Sequence, residues 1–212
     1  CTRKGVIKKT SLEQYSRPRT NGINAITIRE GDQLLSAKMT TGKSQIMMAV
    51  KSSKTKRFEE KKGRAMGRTA AGVRGIRLAD DADEVVGMIA INDTASEILV
   101  VSENGYGKRS SIEDYRITNR GGKGVKTISV TDKTGKLVAI KNVIDSDDLM
   151  IINKSGIAIR MAVDSLRVMG RATQGVRLIK VREDDSIAAV AKVMREDDPE
   201  LDESLQDADS HR

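Results

Sequence analysis

A unit of about fifty residues recurs along this chain, and no other feature constrains its fold as strongly. The segments Arg64-x-x-x-Arg68-x-x-x-Gly72-Val73-Arg74, Arg116-x-x-x-Arg120-x-x-x-Gly124-Val125-Lys126 and Arg167-x-x-x-Arg171-x-x-x-Gly175-Val176-Arg177 share one pattern. A looser first copy is Arg17-Pro18-Arg19-Thr20-Asn21-Gly22-Ile23, and successive glycines lie 50, 52 and 51 residues apart. A second series keeps the same period: Gly5-Val6-Ile7-Lys8-Lys9, Gly105-Tyr106-Gly107-Lys108-Arg109 and Gly156-Ile157-Ala158-Ile159-Arg160, with a degenerate copy at Ser53-Lys54-Thr55-Lys56-Arg57.

Between these markers lie short runs of Val, Ile, Leu and Met bounded by turn residues, and no amphipathic helix of ten residues is evident. In the third copy the pattern predicts strands at 127–130, 137–144, 149–153 and 157–161, with turns at Lys133-Thr134-Gly135 and Glu103-Asn104-Gly105. About four strands per copy predicts an all-β, propeller-like array of four blades, each stacked on its neighbours to bury its faces. The expected division is a β-domain over 1–195, with repeats at roughly 5–53, 54–105, 106–156 and 157–195, and an acidic, disordered tail over 196–212.

Arginines four apart also fit a helical stripe, but Gly67, Gly121-Gly122-x-Gly124 and Gly170 break a helix and point to loops instead. Such glycines would let backbone approach a phosphate. One basic loop per blade would make a curved cationic track, suited to the backbone of bent duplex DNA. Charge agrees. The chain carries +8; eight acids and one arginine from Glu196 to Arg212 give that stretch −7, which leaves +15 on residues 1–195. A body so basic expects a polyanionic partner. The tail reads as a solubilising end, with competition for the basic surface as its alternative.

Other chemistry is short of parts. One Cys (Cys1) and one His (His211) exclude a disulfide framework and a clustered zinc site, and His211, next to last in the acidic tail, offers no candidate for a Ser-His-Asp triad. Four aromatic residues (Tyr15, Phe58, Tyr106 and Tyr115) are too few for a base-stacking platform. Tyr106 and Tyr115 read as residues that pack and hydrogen-bond at blade edges rather than as nucleophiles. Gly42-Lys43-Ser44 lacks the upstream glycine of a phosphate-binding loop, since Ala37 stands there, and reads as a hairpin turn. Asp80-Asp81 and Asp147-Asp148 read as solvated turn acids. No apolar run approaches the ~20 residues that span a bilayer. With no secretory signal and an opening in basic, strand-like residues, the chain reads as a cytosolic piece of something longer.

The long motifs carry a resemblance. Arg64-Ala65-Met66-Gly67-Arg68-Thr69-Ala70-Ala71-Gly72-Val73-Arg74-Gly75-Ile76-Arg77-Leu78, Asn104 to Arg109, and Val168 to Val176 resemble the C-terminal domain family of DNA gyrase A, in register over about 1–195. The resemblance implies a six-bladed β-pinwheel, a propeller variant whose blades exchange strands, of which about four blades are present here. It also implies a non-catalytic domain that wraps duplex DNA on its basic rim. The parent would be a bacterial type IIA topoisomerase, an ATP-dependent enzyme adding negative supercoils. ATP and Mg2+ would act elsewhere in a cytoplasmic, nucleoid-associated heterotetramer of two gyrase A and two gyrase B chains, with no cofactor in this segment and no membrane contact. Thr118-Asn119-Arg120-Gly121-Gly122-Lys123-Gly124 resembles the family's diagnostic Gln-Arg-Arg-Gly-Gly-Lys-Gly box at five of seven positions, though in a later blade. The family's cleavage tyrosine follows an arginine; none of Tyr15, Tyr106 or Tyr115 does, so no strand cleavage is expected.

The expected DNA contacts are Arg64, Arg68, Arg74, Arg116, Arg120, Lys123, Lys126, Arg167, Arg171 and Arg177, supported by Arg17, Arg19, Lys108 and Arg109. Two alternatives are the equivalent domain of topoisomerase IV, which decatenates and relaxes, and a propeller scaffold for proteins.

Overall fold

The computed structural model describes residues 1–195; the acidic tail lies outside the described residues. Thirteen strands carry the architecture: β1 (Val6–Ile7), β2 (Gln45–Val50), β3 (Lys54–Glu59), β4 (Val73–Arg74), β5 (Val85–Ile91), β6 (Glu97–Ser102), β7 (Tyr106–Ser111), β8 (Val125–Lys126), β9 (Leu137–Val143), β10 (Asp147–Asn153), β11 (Ala158–Ala162), β12 (Val176–Arg177) and β13 (Ile187–Met194). Helical structure among the described residues is confined to four 3-10 turns of three or four residues.

The strands form four antiparallel sheets, ordered β1-β4, β5-β2-β3-β8, β9-β6-β7-β12 and β13-β10-β11. One routing rule generates them. The chain makes a hairpin, steps back to the outer edge of the preceding sheet, then returns to the far side of its own hairpin. Thus β4 pairs with β1, β8 with β3 and β12 with β7, while β5, β9 and β13 return to β2, β6 and β10. Each blade borrows its outer strand from the next repeat, so neighbouring units are interlocked. The returning pairs also break register at equivalent places, Ala49/Val50, Val101/Ser102 and Ile152/Asn153. Such bulges bend the strand where each hairpin turn begins.

Stacking explains the composition of the strands. In β2, Met47 and Ala49 join a cluster with Ile98 and Val100 of β6, whereas Ile46, Met48 and Val50 join Phe58, Ile76 and Val85 on the other face. In β6, Leu99 and Val101 turn the opposite way, onto Leu149 and Ile151 of β10. Alternating side chains therefore enter two different cores, and the central strands β2 and β6, buried on both faces, are largely apolar. The all-β expectation holds.

Three local expectations do not. Residues 127–130 are not a strand; Val125–Lys126 pair instead, because the chain reaches across to the neighbouring blade at that point. Asp147 and Asp148 are buried at the start of β10, not solvated in a turn. Asp147 Oδ2 accepts from Ile144 N (2.9 Å), and Asp148 pairs with Arg160 (2.8 Å) and Arg195 (2.7 Å). Gly42-Lys43-Ser44 is a bend entering β2, not a hairpin turn, and the following strand excludes a phosphate-loop helix.

Candidate nucleic-acid interface

The segments 63–72, 115–124 and 166–175 are the step-back loops, so the fold places each Arg-x-x-x-Arg-x-x-x-Gly motif against the preceding blade. The same attachments recur three times. Met66 N, Thr118 N and Met169 N donate to the carbonyls of Lys9, Arg57 and Arg109 at 2.9, 2.9 and 2.8 Å. Gly72, Gly124 and Gly175 follow at φ of +97°, +78° and +78°. A Cβ on Gly72 would lie 2.6 Å from Ile7 O, and equivalent clashes arise with Thr55 O and Gly107 O. These glycines are therefore required by close approach to the neighbouring strand's backbone, not to a phosphate. The loop ends in Gly-Val-Arg/Lys. The Val is half-buried in the first two copies, while Arg74, Lys126 and Arg177 point to solvent, as alternation along a paired strand requires.

Consecutive loops are also joined to one another. Arg68 Nη1 donates to Asn24 O (2.7 Å), Arg120 Nη1 to Arg74 O (3.0 Å), and Arg171 Nη1 to Lys126 O. Asn24, Arg74 and Lys126 hold the same place in their repeats, two residues after Gly22, Gly72 and Gly124. A parallel backbone series runs Thr27 N to Ala70 O (3.4 Å), Arg77 N to Gly122 O (2.9 Å) and Ser129 N to Thr173 O (3.2 Å). Identical contacts between successive copies put the four loops, with Arg17 and Arg19 in the first, side by side on one edge of the array.

The expected site residues separate into groups. Arg17, Arg19, Arg64, Arg74, Arg116, Arg120, Lys123, Lys126, Arg167 and Arg177 are exposed, and Arg68 and Arg171 are half-buried. Arg68, Arg120 and Arg171 are the inter-loop straps described above. Arg177 donates to the Tyr106 hydroxyl (3.1 Å) and lies over its ring (5.6 Å), with the Lys133 ammonium also over that ring (5.5 Å). Arg64, Arg116 and Arg167, the first arginines of the motif, remain open to solvent.

Lys108 and Arg109 do not belong to the exposed track. They are 0% and 7% exposed. Lys108 Nζ donates to the carbonyls of Gly170 (2.6 Å), Arg171 and Thr173 (3.0 Å) and to Thr173 Oγ1 (3.1 Å). Lys8 makes the same cage in an earlier repeat, on Gly67 O (3.0 Å), Arg68 O (2.5 Å) and Ala70 O (3.1 Å). Burial draws the Lys108 ammonium down to about 8, with the Arg171 charge adding to the effect. The next base in each doublet clamps the 3-10 turn of the following blade: Lys9 on Glu60 O (3.0 Å), Arg57 on Ile112 O (3.0 Å) and Tyr115 O (2.7 Å), Arg109 on Leu166 O. Arg109 is neutralised by Glu97 (2.9 Å) and Asp145. Sequence reasoning missed these structural roles for Lys8, Lys9 and Arg57. The signal was the fifty-residue recurrence of the basic doublet inside an apolar strand.

A sequence profile for the family described as "DNA gyrase C-terminal domain, beta-propeller" matches residues 1–41, 47–92, 96–144 and 147–194. The chain belongs to that family. The DNA gyrase A protein of Staphylococcus aureus strain NCTC 8325 is 43% identical over 207 residues, 97% of this chain and 23% of the relative's length. Its counterpart from strain MRSA252 is 44% identical over 201 residues, 94% of this chain and 23% of the relative. This gyrase-family chain thus spans about a quarter of those relatives. Among solved structures, the DNA gyrase A C-terminal domain superposes with a TM-score of 0.80 (23% identity, 91% of this chain, 64% of the other). The C-terminal domain of DNA topoisomerase IV does so at 0.86 (23% identity, 99% and 65%). Both likenesses support the β-pinwheel fold.

Proposed function

We propose that this domain binds and wraps duplex DNA without sequence preference along its loop-bearing edge. The observation that carries the reading is the repeated strap, Arg68 to Asn24, Arg120 to Arg74 and Arg171 to Lys126, which joins four basic loops into one track. Phosphates spaced along a duplex meet a row of solvent-facing cations there, and release of condensed counterions drives binding. The bases are not read, because the track offers single cations for phosphate contact. By its 43% identity with gyrase A, the domain would serve an enzyme that couples ATP hydrolysis to negative supercoiling. Its partners would be the rest of gyrase A together with gyrase B, in a bacterial cytoplasm. ATP, Mg2+ and strand cleavage would belong to those other parts. The fold shared with a topoisomerase IV domain is compatible with a second reading, in which the same track serves decatenation and relaxation.

The deciding experiment is ligation of nicked DNA circles around the purified chain, followed by topoisomer separation. A shifted linking number supports wrapping. Gel retardation with an unshifted linking number would reduce the reading to simple binding, and binding that ignores salt would favour a protein scaffold.

A further inference from the structure

The third loop departs from its neighbours in a way that leaves a cation without its usual partners. Lys8 and Lys108 are each caged by carbonyls of the following loop. Their equivalent, Lys56, makes none of these bonds among the described residues. The reason lies in Gly121-Gly122, which stand where the other copies have Thr69-Ala70 and Ala172-Thr173. Gly121 adopts φ +87° and adds a backbone bond to the segment just past β4, Gly121 N to Gly75 O at 2.7 Å. The loop leans that way, and Gly122 packs flat against Lys56, where a Cβ would lie 2.8 Å from Nζ. What remains is a cavity of about 210 Å³ lined by Lys56, Arg116, Lys123, Thr55, Thr118 and Gly124. Four basic residues line it, Lys56, Arg57, Arg116 and Lys123, with no carboxylate among the described lining residues, and Arg57 is already committed to Gln45 and to the carbonyls of Ile112 and Tyr115. The buried Thr55 Oγ1, on a residue 1% exposed, has no hydrogen-bond partner among the described residues. Burial and the adjacent Arg116 both weaken the hold of Lys56 on its proton, so an anion there would relieve a cost the free domain carries.

We infer that the cavity bounded by Lys56, Arg116 and Lys123 seats one phosphate group, with Lys56 as its inner ligand. The inference rests on the DNA-wrapping reading for its first source, a backbone phosphodiester; a free phosphate presents the same oxygens. Charge-assisted N–H···O bonds from three converging cations favour a tetrahedral oxyanion. The first and last of the three cages are filled by their own lysines and offer no such seat.

The test follows lysine side-chain signals of the full chain by NMR, assigned with Lys56→Met and Lys56→Arg. One arm adds duplex DNA; the other adds inorganic phosphate against a chloride control of equal ionic strength. Shifts of the Lys56 signal in both arms, or with DNA alone, support the seat. Shifts with phosphate alone also support it but assign it to a free anion and count against DNA at this loop. A silent Lys56 while DNA binds overturns the seat and leaves wrapping intact; a silent Lys56 with no DNA binding ends both. In a parallel measurement, Lys56→Met should bind duplex DNA about three- to tenfold more weakly, with a salt slope lower by about one. Its thermal midpoint should not fall, and Lys56→Arg should restore binding. Wild-type affinity and slope for Lys56→Met would also overturn the seat.

Discussion

Tyr115 and Lys108 show how burial changes single side chains in this domain. Tyr115 is 1% exposed, shares a hydrogen bond between its hydroxyl and Thr127 Oγ1, and is pushed up to about 12 by desolvation. The folded chain therefore holds that proton more tightly than the unfolded chain, whose tyrosine titrates near ~10. Its contribution to stability should be intact below about pH 10 and fall between about pH 10 and 12. Absorbance titration should find this tyrosine ionising late, together with loss of structure. Lys108 has the opposite sign of shift. Its folded value of about 8 lies below an ordinary lysine, so the unfolded chain binds the proton more tightly. The cost of burying the charge is fully present below about pH 8 and is relieved as pH rises toward about 10.5. A lysine side-chain NMR signal should titrate near pH 8 and vanish in Lys108→Met, and amides of residues 170–173 should then exchange faster.

At the scale of the element, the step-back loop is a strand donated to a neighbour, and its glycine is the hinge of the donation. Gly72→Ala combines φ +97° with a Cβ 2.6 Å from Ile7 O. The backbone strain alone costs about 1–3 kcal/mol, and the clash adds to it by forcing β4 from β1. Gly156→Ala shares the left-handed conformation, φ +87°, but meets nothing within 4 Å. Urea unfolding should rank the two well apart, Gly72→Ala the worse. Ser53 supports the same logic. Among the described residues it is the non-glycine residue at positive φ (78°), in the place where other copies carry Gly5, Gly105 and Gly156. Its Oγ bonds to Ile128 O (2.5 Å) and Ile128 N (2.9 Å) compensate. Ser53→Ala should lose about 1–3 kcal/mol through unsatisfied backbone groups, measurable in the same unfolding series.

For the whole molecule, interlocked blades turn local loops into an extended surface. The arginines at 64, 116 and 167 face solvent on three successive loops and carry no packing role among the described residues. Replacing all three with Ala should leave the thermal midpoint essentially that of the wild type. It should weaken binding to DNA of every sequence alike and lower the salt slope by about three. With about six to ten phosphates neutralised, the unaltered domain should itself lose about three to five decades of affinity from low to moderate salt. Arg171→Ala differs in kind, because it cuts a strap to Lys126 O and a bond to Asp114 O (2.9 Å). It should alter the linking-number shift more than the affinity.

How much of this was legible in the chain follows from what repetition can and cannot encode. The period, the all-β class, the turns at 103–105 and 133–135 and the basic glycine loops were readable, because each depends on residue type at fixed spacing along one strand or loop. Strand exchange was implied by the family resemblance alone and not by residue spacing, so residues 127–130 were expected to pair where Val125–Lys126 do. The fate of individual charges was hidden for the same reason. Arg64 and Lys108 look alike as basic residues near glycine, yet one faces water and the other fills a carbonyl cage built by a distant loop of the chain. Whether a lysine stays open to a ligand or braces backbone depends on which neighbouring atoms reach it, and those atoms arrive only when one blade packs against the next.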